Sequence, residues 1–75
     1  MSSLNFFELH LTETGLVNVI ITDNSGRLIR EILDEQMTAG NHIIRLGSEN
    51  LKAGLYFLMI RNNQENQMIQ FSVTA

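Results

Sequence analysis

The sequence predicts an all-β chain, a small antiparallel β-sandwich of six to seven strands. Three observations carry this: runs of five to eight residues with period-two alternation, connections rich in Gly and Asn, and no convincing long helix. The chain of 75 residues is too short for two domains that each bury a core, so residues 1–75 read as a single domain, with 1–4 as linker or added residues.

Residues Asn5 to Leu11 place Phe7, Leu9 and Leu11 on one face and Phe6, Glu8 and His10 on the other. The polar run Thr12-Glu13-Thr14-Gly15 ends that strand. From Leu16 to Thr22, Val17, Val19 and Ile21 share a face, with the β-branched content that suits a pleated sheet. Asp23-Asn24-Ser25-Gly26 is a turn with a mechanism: its short polar side chains bond the local backbone, and Gly26 can take a positive φ.

The return strand runs from Arg27 to Asp34, where Leu28, Ile29, Ile32 and Leu33 break strict alternation. That spacing also fits a helix with Arg30 and Asp34 as an i,i+4 pair, but the short run between Gly26 and a polar loop favours a strand with a bulge or strong twist. Asp34 to Gly40 shows no clear period. Asn41 to Leu46 sets His42, Ile44 and Leu46 opposite Ile43 and Arg45.

The turn-rich stretch Gly47 to Gly54 contains one apolar residue suited to plugging an end of the sandwich, Leu51. Leu55 to Arg61 is apolar on both faces and reads as a central strand. Asn62 to Asn66 forms a polar hairpin tip, and Gln67 to Thr74 sets Ile69, Phe71 and Val73 against Met68, Gln70 and Ser72. With no proline to blunt an edge strand and few charges, self-association through edge strands is expected to be open to this chain.

Composition narrows the function classes. With no Cys and no Cys/His cluster, neither disulfides nor zinc reinforce the fold. A net charge of −3, with one Lys and four Arg, argues against nucleic acid or anionic lipid as a partner. No run approaches the ~20 apolar residues of a membrane helix, so membrane insertion is not expected, and an export signal would lie outside this chain.

Catalytic readings each lack a residue type or a spacing. His10 and His42 are the only imidazoles and form no HxH or HxxxH pair, so they read as surface or boundary residues. The five glycines stand singly in turns and form no phosphate loop. Asp23 to Gly26 lacks the later bidentate Glu of a calcium loop. The serines have no nucleophile-elbow glycines, and the five aromatic residues, without interleaved basic residues, read as core. The expectation is no catalytic residue, no metal and no cofactor, hence no enzyme.

Three motifs then stand out together: the D-x-S-G-R hairpin at Asp23, Gly26 and Arg27, the A-G-x-H run at Gly40 and His42, and the L-x-A-G-x-Y loop at Gly54 and Tyr56. In this combination, over roughly residues 6 to 74, the sequence resembles the C-terminal sorting domain of cargo proteins of the type IX (Por) secretion system of Bacteroidota. The resemblance implies an immunoglobulin-like sandwich of about seven strands attached behind a passenger domain. It implies recognition by an outer-membrane shuttle component after inner-membrane export, and a protein that is secreted or held at the cell surface via the periplasm. In that family the last strand commonly bears lysines, in a pattern resembling K-F-x-V-x-K. Here Gln70, Phe71, Val73 and Ala75 stand at the matching positions, so the candidate recognition strand lacks both charges. A second reading is a structural or assembly module similar to the immunoglobulin-like part of the flagellar hook-capping protein, which shares the strand, hairpin and A-G-x-H pattern.

Overall fold

A computed structural model describes residues 6–47, 51–62 and 66–74. Among them are six strands and no helix: β1 (Phe6–Leu11), β2 (Gly15–Asp23), β3 (Leu28–Met37), β4 (Gly40–Arg45), β5 (Gly54–Arg61) and β6 (Asn66–Val73). They form a four-stranded sheet in the order β3-β2-β5-β6 and a two-stranded sheet of β1 with β4, with every neighbouring pair antiparallel. The expected sandwich is therefore the observed one, with six strands among the described residues.

Its interior follows from the alternation. Val17, Val19 and Ile21 of β2 lie beside Leu58 and Ile60 of β5, and all are at most 1% exposed. Leu9 and Leu11 of β1, with Ile44 of β4 and Leu46 just beyond it, cover them from the small sheet. The central strands β2 and β5 thus hold the middle of the core. At the end of the sandwich, half-buried Leu51 packs against the core, as its place in the turn-rich stretch suggested.

β3 departs most from expectation. It begins at Leu28 and runs to Met37, three residues beyond Asp34. Its register with β2 slips twice, between Val19 and Ile20 and between Ile21 and Thr22, which leaves Ile32 and Ile29 as the extra residues on β3. These two bulges are why Leu28, Ile29, Ile32 and Leu33 break the alternation. The end of the strand was hidden because Glu35 and Gln36 are exposed edge residues with little strand propensity, and only half-buried Met37 reaches the core.

The Asp23 turn forms as its chemistry predicts. The Asp23 carboxylate accepts hydrogen bonds from the Ser25 backbone N–H (2.9 Å), the Ser25 hydroxyl (2.6 Å) and the Arg27 backbone N–H (3.0 Å). Gly26 has φ +90°, a conformation that a Cβ makes costly. The expected start of β1 at Asn5, the linker at 1–4, the middle of the hairpin tip at 63–65, the 48–50 part of the loop and the terminal Ala75 lie outside the described residues.

Candidate recognition strand and sheet edges

The four-stranded sheet ends in two edges of opposite character. On one side, β3 carries Arg30, Glu31, Asp34 and Glu35 and is bent by two bulges. Charges and bulges are how natural sheets keep an edge from pairing with another chain. On the other side, β6 pairs with β5 over its full length without a register shift and contains no charged residue. Among the described residues its outer side has no strand neighbour. A regular, uncharged, eight-residue edge presents a row of backbone donors and acceptors to any extended segment.

The side chains of β6 divide by position. Phe71 and Val73 are 7% and 5% exposed and belong to the core, with the Phe71 ring stacked on Tyr56 at 5.7 Å and 26° between planes. Gln70 sits on the opposite face, across from Phe57, and is exposed. Of the three candidate recognition residues, Gln70 alone therefore presents its side chain to solvent; Phe71 and Val73 fix where it stands. Nearer the start of the strand, Met68 is 63% and Ile69 40% exposed, on opposite faces.

The other motif residues gather at two ends of the sandwich. Asp23 pairs with Tyr56, which pairs in turn with Phe71, so the Asp23–Gly26–Arg27 turn, Tyr56 and the second half of β6 share one end of the large sheet. Tyr56 buries its ring there and donates its hydroxyl to the Lys52 carbonyl at 2.6 Å. Gly54 is the first residue of β5, paired with Val73, and has φ +157°, against +90° at Gly26. Gly40 and His42 belong to the other end, where His42 Nε2 bonds the Thr38 carbonyl at 2.6 Å and the Ala39 N–H donates to the Thr14 hydroxyl at 3.1 Å.

His10 and His42 do not converge. They occupy neighbouring strands, but His10 shares the outward face of β1 and bonds Asn41 at 2.7 Å, whereas His42 is paired with core-facing Leu9. The hollow beside His10, lined by Leu11, Thr12, Glu13 and Thr14 among others, has a volume of about 30 Å³, room for a water molecule or two. The clearest electrostatic feature lies in the turn: the Ser25 hydroxyl and the Arg27 N–H stabilise the Asp23 carboxylate and hold it below the usual carboxylate range.

One residue was not legible as a link between layers. Arg30 lies opposite Ile21 on the core side of β3, and its guanidinium donates to the carbonyls of Leu46 (3.3 Å) and Gly47 (2.9 Å). It ties the edge of the large sheet to the end of β4. The bulge at Ile29 and Ile32 sets this orientation, and only the irregular apolar spacing hinted at it.

Compared with known proteins, residues 3–74 match the family model described as the secretion system C-terminal sorting domain, nearly the whole chain. No curated protein matches the chain, and no solved structure does.

Proposed function

The chain belongs to the secretion system C-terminal sorting domains, and from that membership we propose that the type IX machinery reads it as a folded docking module through β6 and its free edge. The family makes it a sorting signal that directs an attached passenger to the secretion machinery, and the protein carrying it a secreted or cell-surface one. Further detail is our reading: the passenger reaches the periplasm, and an outer-membrane shuttle component adds an extended segment alongside β6.

The observation that supports this most is the contrast between the two edges. β3 is charged and bulged, whereas β6 is regular and uncharged, so of the two edges of the large sheet β6 favours strand addition. This mode has no need of the two lysines that the last strand lacks, because backbone groups supply affinity and an exposed side chain such as Gln70 supplies selectivity. Asp23, Gly26, Arg27, Gly40, His42, Gly54 and Tyr56 act on this reading as the frame that holds β6 in place. No residue is assigned a catalytic, metal or cofactor role.

The alternative of an assembly module draws on the same edge, which could equally pair with a copy of itself. To separate them, residues 1–75 are fused behind a reporter in a bacterium that has the type IX system, and the reporter is assayed in medium, surface and periplasm. Release to the medium or surface is expected. Retention in the periplasm at normal expression would reject the sorting role.

A further inference from the structure

The outer face of the large sheet, turned away from β1 and β4, is the side on which an antiparallel sandwich ordinarily shows polar groups to water. Here its registers bring Ile20, Leu28, Leu55, Phe57, Met59 and Met68 onto one continuous surface spanning all four strands. Leu28 and Met68 are 58% and 63% exposed, while Ile20, Phe57 and Met59 are half-buried by their own neighbours. Thr22, between Leu28 and Phe57, is only 5% exposed on this same face. A contiguous apolar surface of this kind marks an interaction site, and its two methionines suit it to an irregular partner.

The charges around it specify the partner. Glu31 and Asp34, both exposed, line the β3 margin next to Ile20 and Asn18. In the row beyond Met59, an open groove of about 250 Å³ is lined by Leu16, Asn18, Arg61 and Asn62. The β6 margin bears no charge. Anionic lipid or nucleic acid would meet the two carboxylates with a single guanidinium in compensation, which favours a protein.

We infer that this face is a second part of the docking surface. The secretion component seated on it presents an apolar centre, a cationic side chain over Glu31 and Asp34, and a carboxylate at the Arg61 groove. The inference rests on the sorting role proposed above and extends it from the edge of β6 across the sheet.

The test uses the same reporter fusion with three variants: Leu28→Ser with Met68→Ser, Arg61→Glu alone, and Phe6→Ser with Ile43→Ser as a control on the outer face of the small sheet. Export of the first two should fall roughly tenfold while their melting temperatures stay near that of the wild type, and the control should be exported normally. Normal export of both face variants, or an equal loss in the control, would overturn the inference. A concentration-dependent dimer of the wild type that Leu28→Ser with Met68→Ser abolishes would also overturn it, by making a second copy the occupant. Periplasmic retention of the wild-type fusion would instead overturn the sorting role itself, and this inference with it.

Discussion

At the scale of single residues, the fold is held by a few polar side chains that bond backbone. Asp23 is the clearest: with its folded-state pKa lowered, the unfolded chain binds more protons in acid, so its contribution is complete above the ordinary carboxylate value of about 3.9 and is lost as pH falls through the lower, folded value. Asp23→Asn should therefore lower the melting temperature by a constant amount at neutral pH. That gap should shrink below about pH 4, and a gap that persists at low pH would show that the carboxylate charge does not matter. Arg30→Ala removes two hydrogen bonds between the layers and should cost about 1–2 kcal/mol, read as a melting shift of roughly 4–8 °C per kcal/mol. Both bonds leave one nitrogen, Nη1, so Arg30→Lys should recover part of this and fall short because its side chain is one atom shorter. Gly26→Ala, at φ +90°, should destabilise by about 1 kcal/mol although nothing lies within 4 Å of the added Cβ, which isolates backbone strain as the cause. The Asp23 turn could be read from composition alone because its bonds are local. Arg30 could not, because its partners lie 16 and 17 residues away.

Among the elements, β2 and β5 were legible because burial on a regular strand leaves an unbroken pattern, and both are central. β3 was blurred because bulges shift the phase of alternation twice, and its last residues are polar edge positions with no face to declare. β6 was legible as a strand, but its edge position was not, since edge character is set by which strands pair and long-range pairing leaves little local trace. Its two halves should respond differently to substitution. Phe71→Ala empties a core position that stacks on Tyr56 and should cost about 3–5 kcal/mol. That equals the roughly 3–5 kcal/mol a core of this size supplies, so the variant should be largely unfolded by circular dichroism at 37 °C. Gln70→Ala, exposed on the opposite face, should melt within about 0.5 kcal/mol of the wild type.

For the whole molecule, a thin sandwich without disulfides sets a four-stranded sheet against a two-stranded one, and among the described residues β6 is the regular, uncharged edge of the large sheet. The large sheet is twice as wide as the small one, and the consequence is visible along single rows: Ile21 and Leu58 are fully buried, while Ile69, next in the same row, is 40% exposed. That fading cover is what makes β6 accessible from its edge. An inward-pointing charge there is a known way to close an edge to pairing without disturbing the centre of a sheet, so Ile69→Lys tests docking apart from folding. The decisive measurement is the fraction of reporter released from cells by the wild-type fusion and by Ile69→Lys, with both domains shown to melt at similar temperatures. Release of the wild type and retention of the variant is the predicted outcome, and equal release of the two would contradict recognition at the β6 edge.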